Sequence, residues 1–212
     1  MTDLYFIRHG QSVANLTEVF AGATDSPLTD LGRKQAEATA EFFQNITPDI
    51  VYASPLLRAF DTGLAVSKKF DIEIIPDDRL KEIYAGLWEG VNFKEIFHKY
   101  EKDFSIWLSD IGNAGCTEGE SVKELQKRVF EAVFEIAEKN DGKKVVIATH
   151  ATPIRVMECI WRKLPLDELK NIPWVSNASV THVQFDKGEW NLISRSMDGH
   201  LEGMKTSLPV SV

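Results

Sequence analysis

The 212-residue sequence contains only two cysteines, Cys116 and Cys159, which lie far apart and form no CxxC pair. They suggest neither a disulfide framework nor a cysteine-based zinc site. No apolar run approaches the about 18 residues that a membrane span needs. The N-terminal apolar run of about four residues is too short for a secretion signal. We therefore expect a reduced, cytoplasmic protein.

The sequence also lacks a surplus of positive charge, because 24 Lys and Arg stand against 32 Asp and Glu, for a formal net charge of −8. We expect no nucleic acid and no membrane among its partners, and an anionic ligand would need a local cluster of cations. The hydrophobic content of 43% and charged content of 26% are ordinary for a globular protein. No repeat, linker or low-complexity segment appears, which predicts one domain over residues 1–212.

Hydrophobic patterns of strand and helix type alternate along most of the chain. Strands are predicted at residues 4–7, 50–53, 72–75 and 145–148, with a terminal hairpin from 179–185 and 190–196. Helices are predicted at residues 29–45, 54–70, 93–110 and 121–140, with another starting at Thr152. This alternation predicts an α/β fold, a three-layer sandwich with a mostly parallel central sheet and helices on both faces.

Polar residues follow three of the predicted strands where each strand ends. Arg8-His9-Gly10 follows the first, Ser54-Pro55-Leu56-Leu57-Arg58 the second, and Thr149-His150 the last parallel one. Ligands of an open α/β sheet gather at the carboxyl ends of its strands. Two histidines and two arginines would then meet at one edge. Helix N-termini predicted at Ser54 and Thr152 would add N–H groups, and together these features suit a phosphate.

Each of these residues taken alone also has a structural interpretation, since a histidine after a strand is commonly an ordinary polar residue and Arg58 could be solvated. The prediction depends on their meeting at one edge of the sheet. The remaining histidines, His98, His182 and His200, are interpreted as structural or surface residues. No two histidines stand at ligand spacing and no metal-binding motif is present, so we expect no metal site.

The stretch Arg8-His9-Gly10-Gln11-Ser12, with Asn15, resembles the RHG signature of the histidine phosphatase superfamily, the phosphoglycerate-mutase-like proteins. Further motifs of that family follow in the expected order and extend the resemblance over about residues 4–185. They are Pro27-Leu28-Thr29 with Gly32, Ser54-Pro55-Leu56 with Arg58, Leu80-x-Glu82 with Gly86 and Trp88, Gly119-Glu120-Ser121, Thr149-His150, and Asn177-Ala178-Ser179. Each motif is weak alone, whereas the ordered set is specific.

The resemblance implies a role for each matching residue. His9 would be the nucleophile that forms a phosphohistidine, Glu82 the general acid, and Arg8, Arg58 and His150 the groups that stabilise the phosphoryl charge. Asn15 would be a neutral donor to the same group. The substrate-binding residues implied are Arg8, Gly10, Asn15, Ala21, Gly22, Arg58, Glu82, His150 and Ala151. No metal or organic cofactor is expected, because side chains already supply the positive charge.

Three positions within these motifs carry a specific expectation. Ala151 stands where the family usually has glycine, and its methyl group is expected to tune the pocket without abolishing it. Gly10 is expected to let the backbone approach the phosphate. Asp78 and Glu89 are nearby alternatives to Glu82 as the general acid, and the Leu-x-Glu motif favours Glu82.

The favoured function is a metal-independent hydrolase of a small phosphate ester, such as a sugar phosphate, a bisphosphate or an α-ribazole phosphate. A cofactor-dependent phosphoglycerate mutase and a non-catalytic phospholigand-binding protein are the alternatives. Glu120 stands only 38 positions after Glu82, which is short for the insertion that the family's mutases carry there. The oligomeric state stays open, a homodimer included.

The substrate cannot be chosen among these esters from the sequence. Several aromatic residues after the first motif either cover the pocket or belong to the core. They are Phe20, Tyr84, Trp88 and those of the stretch 93–107.

Overall fold

The computed structural model describes residues 1–206, so the last six positions of the predicted domain, 207–212, lie outside the described residues. The strands within this range are β1 Thr2–Arg8, β2 Ile50–Ala53, β3 Ile74–Pro76, β4 Lys144–Thr149, β5 Val180–Asp186 and β6 Glu189–Met197. The helices are α1 Val13–Leu16, α2 Asp30–Phe42, α3 Leu57–Phe70, α4 Phe93–Lys99, α5 Glu101–Ser109, α6 Val122–Lys139 and α7 Ala151–Trp161.

The strands form one sheet in the order β3-β2-β4-β1-β5-β6. The first four run parallel to one another, and β5 and β6 continue the sheet antiparallel. The α/β class and the mostly parallel sheet are thereby confirmed. Ala148 of β4 pairs with both Ile7 and Ala53, so the carboxyl ends of β1, β2 and β4 lie side by side at one edge.

Helices cover both faces of the sheet because side chains alternate between the faces along each strand. Tyr5 and Ile7 of β1 pack with residues of α2 and α3 in one buried cluster. Leu4 and Phe6, the intervening residues, belong to the cluster that contains the apolar sides of α5, α6 and α7. The resulting arrangement has three layers, as the alternating sequence pattern predicts.

Two helix starts follow their sequence signals. Thr29 caps α2 by accepting from the Gly32 N–H, and Ser121 and Glu124 form a reciprocal capping box at α6. The predicted helix 93–110 is wrong as a single helix, because the backbone at Tyr100 leaves helical geometry (φ −131°, ψ 40°) and separates α4 from α5.

The other two helix starts are displaced from their predicted positions. Helix α3 begins at Leu57, because the backbone of Leu56 is not yet helical (φ −63°, ψ 128°). The Ser54 side chain lies 2.8 Å from His150 Nε2 and accepts from the Leu56 N–H at 3.3 Å. Helix α7 begins at Ala151, which makes Pro153 its third residue. Proline is tolerated there because the N–H groups of the first turn have no intrahelical partner. None of the helices within residues 1–206 is long and apolar enough to cross a membrane.

Candidate active site

The site is built on the end of β1, in the middle of the sheet. Arg8 ends the strand and pairs with Thr149 of β4, and the His9 N–H donates to the Thr149 carbonyl oxygen at 3.0 Å. Both side chains are buried. The parallel ladder therefore fixes the backbone of this pair, which makes its position insensitive to loop motion.

One hydrogen bond sets the tautomer of His9. Its Nδ1 lies 2.7 Å from the Gly10 carbonyl oxygen. Because a carbonyl only accepts, Nδ1 carries the proton and Nε2 keeps its lone pair. Burial, Arg58 and Arg8 lower the pKa of His9 well below its ordinary value. These surroundings favour the neutral form of the imidazole, with the lone pair on Nε2.

Two buried guanidinium groups surround this imidazole. Arg8 Nη1 donates to the Val175 carbonyl oxygen at 2.5 Å, while its Nε has no partner among residues 1–206. Arg58, in the first turn of α3, donates to the carbonyl oxygens of Gly22 at 2.7 Å and Thr24 at 3.0 Å. Burial lowers the pKa of Arg8 to about 10 and also lowers that of Arg58. Two desolvated cations give this edge of the sheet a positive potential that favours an anion.

Glu82 supplies the carboxylate of the site from the loop between β3 and α4. Its Oε1 accepts from the Ile83 N–H at 2.9 Å, and its Oε2 accepts from the Thr152 N–H at 3.3 Å in the first turn of α7. Glu82 also opposes the fall in the pKa of Arg8 and of Arg58. Its charge therefore acts on both cations.

The two alternative carboxylates, those of Asp78 and Glu89, do not line the cavity that Glu82 lines. Asp78 is exposed and pairs with Lys81. Glu89 instead organises a neighbouring loop, where it accepts from the Ala23 N–H at 2.9 Å and the Ala85 N–H at 3.1 Å. This geometry favours Glu82 as the acid, in agreement with its position in the motif.

His150 is fully buried beside His9, with ring centroids 5.1 Å apart and planes inclined by 62°. Its Nε2 lies 2.8 Å from Ser54 Oγ, and its Nδ1 has no partner among residues 1–206. Burial, Arg58 and His9 lower its pKa well below the ordinary value. It packs against the His9 ring without lining the cavity.

Gly10 also lies outside the cavity lining, and its lack of a side chain serves another contact. Its N–H donates to Thr62 Oγ1 at 3.1 Å. A Cβ at this position would lie 2.5 Å from the carbonyl oxygen of Gly32 in α2. The absence of a side chain at Gly10 thus permits the close approach of α2 to the end of β1.

Asn15, in α1, uses its Oδ1 within the protein, where it accepts from the Ser12 N–H at 3.1 Å and from Asn177 Nδ2 at 3.2 Å. These contacts orient the amide so that Nδ2 is the donor left for a ligand. Ala21 and Gly22 belong to the loop whose carbonyls hold Arg58. Gly22 adopts φ +51°, a left-handed conformation that favours glycine.

These side chains enclose a cavity of about 100 Å³. Its lining includes most of the residues expected from the sequence, namely Arg8, His9, Asn15, Ala21, Gly22, Arg58, Glu82 and Ala151. Residues not anticipated as ligand-binding complete it, namely Ser12, Val19, Thr152 and Trp174. The sequence does hold a signal for Thr152, because Thr152-Pro153 predicts a helix start close after the candidate His150.

The aromatic residues divide between wall and core. Phe20, Phe93 and Trp107 line the cavity and pack against one another, with the Phe20 ring 5.4 Å from that of Trp107 and 5.6 Å from that of Phe93. Trp88 is fully buried, and Tyr84 is exposed; neither lines the cavity. One part of the cavity wall is therefore polar and another part is aromatic.

Among residues 1–206, no group of three or more His, Cys, Asp or Glu side chains could hold a metal ion. The positive groups at the site are instead two guanidinium groups and the N-terminal N–H groups of α7. Such an arrangement can bind a phosphoryl group and stabilise negative charge that develops on it.

The sequence matches the histidine phosphatase superfamily (branch 1) over residues 4–197. The chain belongs to this superfamily. It is 28% identical over 201 residues to phosphoserine phosphatase 1 of Hydrogenobacter thermophilus, covering 95% of each chain. It is 31% identical over 207 residues to a metal-independent phosphoserine phosphatase of Arabidopsis thaliana, covering 96% of this chain and 85% of that protein.

The structure is similar to that of Bacillus stearothermophilus YhfR, with a TM-score of 0.91 and 30% sequence identity over 95% of this chain and 100% of that one. The match therefore includes the sheet, both helical layers and the site edge. The expectation of a phosphatase of the histidine phosphatase superfamily is confirmed at this level.

Proposed function

We propose that the chain is a metal-independent phosphomonoester hydrolase that acts through a phosphohistidine on His9. The observation that carries this proposal is the neutral His9 ring, whose Nδ1 is held by the Gly10 carbonyl while Arg8 and Arg58 flank it. A neutral imidazole beside two cations is suited to attack a phosphate dianion, because the cations offset the repulsion between nucleophile and substrate.

In the first step, the Nε2 lone pair of His9 forms a bond to phosphorus as the bond from phosphorus to the ester oxygen breaks. Glu82, protonated at this stage, donates its proton to the departing alkoxide, which leaves as the alcohol. Arg8 and Arg58 stabilise the charge on the equatorial oxygens, and the Asn15 amide adds a neutral donor. His150 stabilises the same transition state from its position against the His9 ring.

In the second step, a water molecule attacks phosphorus from the side that the alcohol has left. The Glu82 carboxylate takes a proton from this water, and the bond from phosphorus to Nε2 breaks. Inorganic phosphate leaves, while His9 regains its lone pair and Glu82 its proton. The cycle uses one carboxyl group twice, and it uses no group beyond the side chains and water.

The substrate class follows from the cavity and from the relatives. A cavity of about 100 Å³ with one aromatic wall fits a small ester. The two curated relatives described above are phosphoserine phosphatases, one of them named as metal-independent. We infer a small phosphorylated metabolite, with sugar phosphates, bisphosphates and α-ribazole phosphate among the esters to be assayed.

The proposal is tested by phosphate release from a panel of metabolite phosphates in the presence of a chelator. Wild-type protein is expected to release phosphate, and rapid quenching is expected to trap an acid-labile, base-stable adduct on His9. His9→Ala is expected to abolish both signals, whereas His98→Ala, on α4 outside the site, keeps them. Release that persists in His9→Ala, or that requires an added metal, would contradict the mechanism.

The same panel separates the alternatives. Efficient isomerisation of 3-phosphoglycerate with negligible hydrolysis would show a mutase. Tight binding of esters without any turnover would show a phospholigand-binding protein, in which Glu82→Gln has no activity to reduce. We expect hydrolysis, because Glu82 and His9 face the cavity together and the segment between Glu82 and Glu120 is short.

A further inference from the structure

A second cavity of about 120 Å³ adjoins the catalytic one. Two residues, Trp107 and Trp174, line both cavities, so the cavities meet at these indole side chains. The remaining lining residues of the second cavity are Leu108, Ile111, Arg155 and Lys170. Two of these six side chains are cationic and none is acidic, which is unusual for a chain whose net charge is −8.

Arg155 of α7 lines this cavity with a side chain that is buried, at only 3% exposed. Its Nε and Nη2 donate to the Ile172 carbonyl oxygen at 3.0 and 2.8 Å, and Nη2 also donates to that of Leu169 at 2.9 Å. The guanidinium carbon lies 3.9 Å from the centroid of the Trp174 ring. These contacts hold the guanidinium in one orientation, but none of them brings a carboxylate to it.

Two N–H donors on residues that line this cavity lack a hydrogen-bond acceptor. Arg155 Nη1 and Trp107 Nε1 are both buried and have no hydrogen-bond partner among residues 1–206. A buried donor without an acceptor is costly. The carboxylates of Glu158 and Glu82 act on Arg155 electrostatically, but neither is hydrogen-bonded to it. Asp110, the acidic residue nearest in sequence to Ile111, lies outside the lining. Its Oδ2 accepts from Asn113 Nδ2 at 3.0 Å, and its Oδ1 is buried without a partner among residues 1–206.

The second cavity lies within reach of a ligand held in the first. Ala151, which lines the catalytic cavity, stands four residues before Arg155 on α7, so the two share a helix face about 6 Å apart along the axis. This separation is of the order of the distance between the two ends of a small metabolite.

We propose that the second cavity is a subsite for a second anionic group of the substrate, a carboxylate or a further phosphate, bound by Arg155, Lys170 and the Trp107 indole N–H. This inference rests on the proposed function, because it assigns the ester phosphate of the same molecule to His9. Arg155 then determines specificity, since it favours an ester with a second anion over a neutral one of equal size.

The test compares esters that share the phosphate but differ in the group beyond it. Phosphoserine and 3-phosphoglycerate carry a carboxylate, fructose 1,6-bisphosphate carries a second phosphate, and glycerol phosphate and phosphoethanolamine carry neither. For wild-type protein, we expect kcat/KM for at least one doubly anionic class to exceed that for the esters without a second anion about tenfold or more, the usual effect of a charged hydrogen bond. The carboxylate and bisphosphate arms identify which anion fits.

Substitutions assign this preference to the second cavity. Arg155→Lys and Trp107→Phe are expected to reduce the ratio of the two kcat/KM values several-fold, and Lys170→Gln to reduce it less because Lys170 is exposed. Arg162→Lys is the matched control, since Arg162 caps the other end of α7 and pairs with Glu158. It is expected to keep the wild-type ratio.

Equilibrium binding to His9→Ala separates this inference from the proposed mechanism, because no turnover is needed. Calorimetry is expected to show tighter binding of the doubly anionic ester than of glycerol phosphate, and Arg155→Lys in the His9→Ala background is expected to reduce the ratio of the two affinities several-fold. Equal affinity for both esters, or a preference that Arg155→Lys and Lys170→Gln leave unchanged, would overturn the inference even if hydrolysis occurs. Absence of hydrolysis with the binding preference intact would contradict only the mechanism.

Discussion

Arg128 and Glu120 form a bidentate ion pair at the back of the loop that carries Glu82. Arg128 Nε lies 2.6 Å from Glu120 Oε1, and its Nη2 lies 2.8 Å from Glu120 Oε2. The same guanidinium donates to three backbone carbonyl oxygens of that loop, those of Arg79 at 2.9 Å, Lys81 at 2.8 Å and Glu82 at 2.8 Å. Arg128 is therefore a positioning residue, because it fixes the backbone from which the proposed acid projects.

Arg128→Gln is expected to lower kcat by about 10²-fold with a smaller change in KM, since a displacement of about 1 Å at a reacting group can cost that much. Arg128→Lys keeps the charge but cannot span three carbonyls and one carboxylate, so we expect an intermediate kcat. Steady-state kinetics on an active ester checks both variants. Glu135→Gln, which removes an exposed carboxylate paired with Arg79, is the control and should match wild type.

Gly10 and Gly32 allow α2 to contact the end of β1. A Cβ at Gly10 would lie 2.5 Å from the Gly32 carbonyl oxygen, and one at Gly32 would lie 2.0 Å from that of Gln11. Because both neighbours are backbone, Gly10→Ala and Gly32→Ala are each expected to lower the free energy of unfolding by about 1–3 kcal/mol or more. Urea unfolding measures this. Gly199→Ala, where a Cβ meets nothing within 4 Å, should differ little from wild type.

The sequence predicts the sheet and the edge that carries the candidate site because both depend on local patterns. The strand-ending motifs at Arg8, Arg58 and His150 are read from apolar runs and the polar residues after them. The parallel register then brings these ends together without further information. The family motif supplied Glu82, which lies in a loop and has no periodic signal.

The other features depend on tertiary contacts that a linear pattern does not contain. The proximity of Gly10 to Gly32 involves two separate elements, so no local pattern in the sequence indicates it. Ser54 contacts His150 rather than capping α3, because the two strand ends meet only in the folded sheet. Trp174 reaches the cavity from a distant segment and carries no local signal.

His9 and His150 make stability depend on pH. Burial lowers both pKa values in the folded state below the ordinary value of 6.5, so each stays neutral where the unfolded chain is already protonated. The unfolded state then binds more protons, and stability falls as the pH drops below about 6.5. Each histidine contributes a slope of up to about 1.4 kcal/mol per pH unit.

Urea unfolding between pH 5.0 and 7.5 checks this sign. The free energy of unfolding of wild-type protein should decrease toward acid, and His150→Gln should flatten the decrease. Gly199→Ala removes no titrating group and is expected to keep the wild-type slope. A wild-type stability that rises toward acid, or an unchanged slope in His150→Gln, would contradict neutral burial of this histidine. The resonances of His9, followed by NMR, should likewise show no protonation near pH 6.5.

The two buried cations of the site predict that an anion stabilises the fold. Arg8 and Arg58 are desolvated together, with Glu82 acting on both, so inorganic phosphate should bind the folded state far better than the unfolded one. At a phosphate concentration of about 100 times Kd, the gain is about 2.7 kcal/mol. For a chain of this size, that raises Tm by roughly 5–10 °C.

Thermal unfolding with and without phosphate measures the shift, using sulfonate buffers of equal ionic strength. Arg58→Met should lose it, because the guanidinium fork is removed while the volume is kept. Arg33→Met, on the exposed side of α2, should retain it. A shift that survives in Arg58→Met but disappears in Arg155→Lys would place the bound anion in the second cavity. Since that outcome assigns phosphate affinity to the specificity subsite, it would leave the catalytic cavity without its expected ligand.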